Sequence, residues 1–139
     1  KASVCTKNVH NLDKKKTQKS LEQQIGVVFS ALKEVAEEFN MQALTRIGDI
    51  IDEYPLPAHT VGFGVKGCVT WSTTPVRNYR DYKATDFDLA FAQWIHGINR
   101  GILLPPGLDE QWLISIMHTE NDAMRYADVF ADFVRELTA

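Results

Sequence analysis

The run from Arg100 to Thr119 constrains this chain more than any other, because it packs a helix stop, an apolar run, a rigid corner, a second apolar run and a helix start into one continuous stretch. Gly101 ends a helix, since glycine accepts the left-handed conformation that closes a helix C-terminus. Ile102-Leu103-Leu104 reads as a short strand. Pro105-Pro106-Gly107 is a stiff corner, because proline fixes φ and has no backbone donor, and it carries two adjacent carboxylates, Asp109 and Glu110. A second strand follows, from Trp112 to about Met117. Thr119 with Asp122 three residues on is the capping arrangement that starts a helix. The rest of the chain must supply layers to pack against this unit.

Upstream, Leu21, Ile25, Val28, Leu32, Val35, Ala36 and Phe39 recur at three- and four-residue steps and define one stripe of a helix. Ser20, with Gln23 at capping-box spacing, is its expected N-cap, and Asn40 its expected end. A second helix is expected through Leu44, Ile47, Ile50, Ile51 and Tyr54, stopped by Pro55-Leu56-Pro57. Both read as packing elements.

Thr60–Val65 and Cys68–Ser72 are rich in β-branched and aromatic residues and read as two strands joined at Lys66-Gly67, or as one strand with a bulge. Gly62, Gly64 and Gly67 match G-x-G-x-x-G literally. A dinucleotide site needs a helix N-terminus directly after the glycines, and here a strand follows, so the glycines are read as a sharp strand connection. The kinase form of the motif also lacks its partner loops. After an irregular connection over residues 73–82, Thr85 is the expected cap of a third helix with Phe87, Phe91, Trp94, Ile95 and Ile98 as its buried stripe. The last helix carries Ala123, Tyr126, Ala127, Phe130, Phe133, Val134 and Leu137 on one face. The order is helix, helix, strand, strand, helix, strand, strand, helix. It predicts an α+β fold in two layers, a small, mainly antiparallel sheet covered by helices, with two N-terminal helices.

With 139 residues, 45% of them apolar, the chain can fill one core. Its net charge of −3 argues against a nucleic-acid footprint, yet residues 1–20 hold six Lys against one Asp. That segment shows neither period and is expected to be a basic mobile leader, with residues 21–139 as a single domain. No apolar run reaches a membrane span or a signal-peptide core, so a soluble, cytoplasmic protein is expected. Cys5 and Cys68 form neither a disulfide framework nor a metal pattern, and Cys68 is read as a buried small hydrophobe. The missing initiator Met suggests that the chain begins inside a longer one or has been processed.

No nucleophile elbow, metal helix, phosphate loop or paired-Cys zinc pattern occurs. Asp109 and Glu110 can serve in acid/base work or hold an ammonium group, and the plain alternative is a pair of solvated turn residues. His118 reads as a hydrogen-bonding residue that fixes the strand-to-helix turn. His96 has no partner at metal spacing and is placed at the surface or rim.

Pro75-Val76-Arg77-Asn78-Tyr79, Thr85-Asp86, the run Arg100 to Pro106, Glu110 and Met117-His118-Thr119-Glu120 resemble, in order and spacing, the C-terminal small domain of class III aminotransferases, nearest to the glutamate-1-semialdehyde 2,1-aminomutase-like branch. Gly64–Thr70 is similar to the strand that opens that domain. The likeness spans about residues 44–139. It implies a part of a pyridoxal-phosphate enzyme of fold type I, in which a large domain holds the cofactor and the small domain closes the active site.

That chemistry needs a Schiff-base lysine. The resemblance places this lysine in the large domain, and Lys66 matches no such position. It therefore implies no cofactor bound by this chain alone, pyridoxal phosphate in the complete enzyme, and Glu110 as the one substrate-binding position that carries over, facing an amino-acid-like substrate. It implies no catalytic and no metal-binding residue here. Its implied partners are the large domain or a homo-oligomer such as a dimer, with neither nucleic acid nor membrane. Residues 1–30 depart from the pattern, as does Leu108-Asp109 before the glutamate. Two other readings remain: a free-standing binding or dimerisation module that keeps the small-domain fold, and a small-molecule enzyme using Asp109, Glu110 and His118.

Overall fold

The computed structural model describes the backbone of residues 2–105 and 111–139 and the side chains of residues 18–105 and 111–139. The chain divides into two compact units, Lys1–Glu34 and Val35–Ala139. One helix, α1 (Ala2–Glu53), runs from the first into the second. Then come strands β1 (His59–Phe63) and β2 (Lys66–Thr70), a short helix α2 (Tyr79–Tyr82), helix α3 (Phe87–Asn99), strand β3 (Trp112–Leu113) and helix α4 (Glu120–Leu137). The sheet is antiparallel in the order β1-β2-β3. The α+β class read from the sequence stands, with three strands among the described residues in place of the four expected and one long N-terminal helix in place of two.

Asn40, the expected end of the first helix, lies in the interior of α1 and is fully buried. Its side-chain amide donates to the carbonyls of Gly64 (2.8 Å) and Lys66 (2.9 Å), and its oxygen accepts the indole N–H of Trp112 (2.7 Å). A polar residue that lowers helix propensity is stable there because all of its bonds are made to other elements. The two packing helices thus merge, and the buried face of α1 is Ala36, Asn40, Ala43, Leu44, Ile47, Ile50 and Ile51. In the first unit the expected stripe is not buried: Leu21, Ile25, Val28 and Leu32 are all exposed. Helical backbone also extends through the basic segment from Ala2 onward, where the sequence shows no helical period.

The β1–β2 hairpin turns at Gly64-Val65, two residues earlier than expected, and pairs Phe63 with Lys66. Gly64 has φ 58°, which the first central position of a two-residue hairpin requires and which glycine adopts without strain. One sheet face is set by close approach. A Cβ on Gly67 would lie 2.2 Å from the Trp112 ring, so the indole packs directly on the β2 backbone. Below the sheet, Trp71 meets Phe130 and Phe133 at centroid distances of 6.2 and 5.9 Å, and Trp112 meets Tyr126 at 5.0 Å.

Helix α3 keeps part of the expected stripe: Phe87, Trp94 and Ile98 are half-buried, Trp94 against the core. Asp86, one residue past the expected Thr85, is its N-cap and accepts from the Leu89 amide. Its buried residues are Ala90, Gln93, His96 and Gly97, while Phe91 and Ile95 point outward. Gln93 is held because it accepts from the Trp71 indole (2.7 Å) and donates to the Tyr126 hydroxyl (3.0 Å). Helix α4 matches the expected face except at Leu137, which is 43% exposed, and Thr119 and Asp122 form its reciprocal capping box. Ile102–Leu104, expected as a strand, pairs with nothing in the sheet.

Asn40→Leu would remove the bonds to the Gly64 and Lys66 carbonyls and leave the buried Trp112 indole N–H without a partner. The expected loss is on the order of 3 kcal/mol or more, read by urea denaturation, and a variant as stable as the parent would remove Asn40 from this role. Gly67→Ala should cost about 1–3 kcal/mol by overpacking against Trp112 and shift the tryptophan emission of the folded state.

Candidate functional site

The corner singled out in the sequence is flanked on both sides by described structure. Arg100, which caps the end of α3, presents its carbonyl to the Arg125 side chain of α4 (3.1 Å). Gly101 follows with φ 80°, and the Arg125 guanidinium sits 3.2 Å from where a Cβ would be. A side chain at 101 would therefore be strained and crowded. Leu104 then turns inward, and its carbonyl accepts the Trp94 indole N–H (3.3 Å). On the far side Trp112 is buried, and the Ile114 amide donates to the Val65 carbonyl (2.9 Å). Pro106, Gly107, Leu108, Asp109 and Glu110 themselves lie outside the described residues. The positions from which the corner leaves and to which it returns are thus tied to α3, α4 and the sheet.

These flanks enclose a cavity of about 400 Å³, lined on the apolar side by Ile102, Leu104, Trp112 and Tyr126 and on the polar side by His118, Asp122 and Arg125. His118 behaves as the sequence suggests. Its Nδ1 accepts from the Ser115 amide (2.9 Å) and lies 3.0 Å from the Ser115 hydroxyl, which fixes the turn between β3 and α4. An Nδ1 that accepts a backbone N–H places the neutral ring's proton on Nε2. The Asp122 carboxyl is held below its ordinary range, first by the Thr119 backbone N–H, then by the Thr119 hydroxyl, and further by the His118 and Arg125 charges.

Sequence reasoning missed two features. Arg125 carries no motif, and only the fold brings it to the end of α3. His96, expected at the surface, is buried, with Nε2 3.5 Å from a Glu136 carboxylate oxygen and neither ring nitrogen hydrogen-bonded; Glu136 also pairs with Arg100. Its helix position, one step from Ile95, pointed outward only because the apolar stripe was misplaced. Cys68 is half-buried rather than buried, while the Cys5 side chain lies outside the described residues.

The cavity does not fit a pyridoxal-phosphate site of its own. Lys19, Lys33, Lys66 and Lys83, the lysines with described side chains, are all exposed, and none lines it. Among the described residues no group of His, Cys, Asp and Glu has the arrangement of a metal site, and no helix is long and apolar enough to cross a membrane.

No family model matches the chain. It is 31% identical over 68 residues to glutamate-1-semialdehyde 2,1-aminomutase 2 of Brevibacillus brevis, covering 48% of this chain and 16% of that protein. It is 40% identical over 53 residues to glutamate-1-semialdehyde 2,1-aminomutase of Desulfatibacillum aliphaticivorans, covering 37% of this chain and 12% of the relative. Its fold matches a glutamate-1-semialdehyde aminomutase from Pseudomonas aeruginosa PAO1 with a TM-score of 0.70 at 20% identity, over 76% of this chain and 23% of the other. A β-phenylalanine aminotransferase from Variovorax paradoxus matches with a TM-score of 0.63 at 21% identity, over 76% of this chain and again 23% of the other. The chain therefore spans less than a fifth of the curated relatives and under a quarter of these solved structures. It is similar to a part of aminomutase and aminotransferase polypeptides.

Because Asp122 is more acidic when folded than when unfolded, its contribution to stability is complete above the ordinary carboxylate value, about 3.9, and disappears as pH falls through the lower folded value. Asp122→Asn should thus be less stable than the parent near neutrality and converge with it in acid. Thermal denaturation across the acid range checks this, and a gap independent of pH would contradict it.

Proposed function

We propose that this chain is the C-terminal small domain of a pyridoxal-phosphate-dependent class III aminotransferase or aminomutase, the part that closes the active site. The observation that carries this reading is the agreement of sequence and fold over a small share of much longer polypeptides: 68 residues at 31% identity with 16% of an aminomutase, and a TM-score of 0.70 over 23% of another. The cofactor, its Schiff-base lysine and the phosphate-binding groups belong to the portion this chain does not span.

Glu110 is the residue that faces an amino-acid-like substrate. Supporting its role is the way both flanks of the corner are anchored: Arg125 on the Arg100 carbonyl, Trp94 on the Leu104 carbonyl, and the Ile114 amide on Val65. The chain's own residues supply positioning and shielding from water, and none of the described ones supplies covalent catalysis.

A free-standing module adapted to life without a large domain would carry polar residues on the surface left uncovered. Instead Leu103 is 86% exposed and Met117 83%, both next to the cavity flanks. This favours a part of a larger enzyme.

The test is to mix the purified chain with pyridoxal phosphate and an amino donor, follow the absorbance, and reduce with borohydride. The expected result is neither transaminase turnover nor a cofactor fixed stoichiometrically to one lysine. Turnover together with such a reducible, lysine-linked chromophore would sink the reading.

A further inference from the structure

The last turn of α3 lies on the last turns of α4, and His96 stands at that junction. The residue is 8% exposed, and neither ring nitrogen has a hydrogen-bond partner. A neutral imidazole has one N–H and one lone pair, so both are stranded in the interior, which is costly. Nε2 lies 3.5 Å from a Glu136 carboxylate oxygen, and the ring meets Phe133 edge-on at 5.3 Å. The other Glu136 oxygen pairs with Arg100.

The charges at the junction leave room for one more proton. Each helix C-terminus contributes a partial negative charge, about half an elementary charge, and Glu136 in the last turn of α4 adds a full one. Of the residues lining the groove around His96, the charged ones are Arg100 and Glu136. Next to them on α4, Arg135 is paired with Asp132 and adds no net charge. Arg100 therefore balances Glu136, and the two helix ends are balanced by an imidazolium.

We propose that His96 and Glu136 form a proton-operated latch. When His96 takes up a proton, its Nε2–H closes onto the Glu136 carboxylate in a charge-assisted hydrogen bond and fastens the last turn of α3 to α4. When the proton leaves, that contact opens and Arg100 alone spans the junction. Gly101 follows directly and lines the cavity, so proton uptake tightens one flank of it. The latch is a property of this fold and does not rest on the functional reading.

A double-mutant cycle of His96→Phe and Glu136→Gln tests it, read by urea denaturation at about pH 5.5 and about pH 8.5, on either side of the ordinary histidine value of about 6.5. Phenylalanine keeps the packing on Phe133 without a proton to gain, and glutamine keeps an acceptor for Arg100. Glu136 is 61% exposed, so solvent screens the pair, and the expected coupling at the lower pH is about threefold in the unfolding constant. At the higher pH, Glu136→Gln should have the same effect in both backgrounds. The remaining titrating groups are common to every form and cancel. A coupling that is absent at both pH values, equal at both, or larger at the higher one overturns the proposal. If His96→Phe does not fold, Glu136→Gln alone decides: its cost should grow by a similar factor toward the lower pH, and a cost independent of pH overturns the latch.

Discussion

The buried amide of Asn40 is the interaction on which the second unit depends. It brings three elements to one point: α1 supplies the side chain, the β1–β2 turn supplies two carbonyls, and β3 supplies the Trp112 indole. Hydrogen bonds of this kind add little net energy when satisfied, but a missing partner leaves buried groups desolvated. Satisfaction therefore acts mainly on specificity. It fixes how far α1 slides along the sheet, because only one helix position sets the amide within reach of both carbonyls. Hydrophobic contacts such as Leu44 against Gly62 then fill the space that this choice defines.

A second polar relay, Trp71 to Gln93 to Tyr126, plays the same part between sheet, α3 and α4. The two relays meet where Tyr126 packs on Trp112. This explains what was legible in the sequence. Helix α4 was read well because its apolar face and its capping box agree with each other, and each is a local signal. The α+β class followed from the alternation of periodic segments. What failed was the placement of polar residues. Asn40 and Gln93 belong inside only because of partners 22 to 72 residues away, and pattern reading assigns Asn40 to a helix end and gives no reason to bury Gln93. Once Gln93 is inside, the rest of α3 rotates with it, which carries His96 in and Phe91 out. The hairpin shift has a similar cause: the turn needs one positive-φ residue, and of three nearby glycines the fold uses Gly64, since Gly62 and Gly67 are occupied by Leu44 and Trp112.

Of the candidate site, the His118 turn was legible: the structure shows His118 bonding Ser115 as expected, while the corner with Asp109 and Glu110 lies outside the described residues. Arg125 could not be foreseen, because nothing local distinguishes it from any exposed helix arginine. Its value lies in joining the end of one helix to the side of another, directly before the chain enters the corner. The functional reading likewise rests on agreement of sequence and fold over an extended stretch rather than on any one residue.

The chain has three tryptophans, and each donates its indole N–H to a different part of the architecture: Trp112 to α1, Trp71 to α3, and Trp94 to the segment leaving α3. Each ring is thereby a built-in optical reporter for one junction. A junction that opens ahead of the whole molecule would change the surroundings of its own ring first, so the order in which the layers come apart is written into the emission of the protein itself.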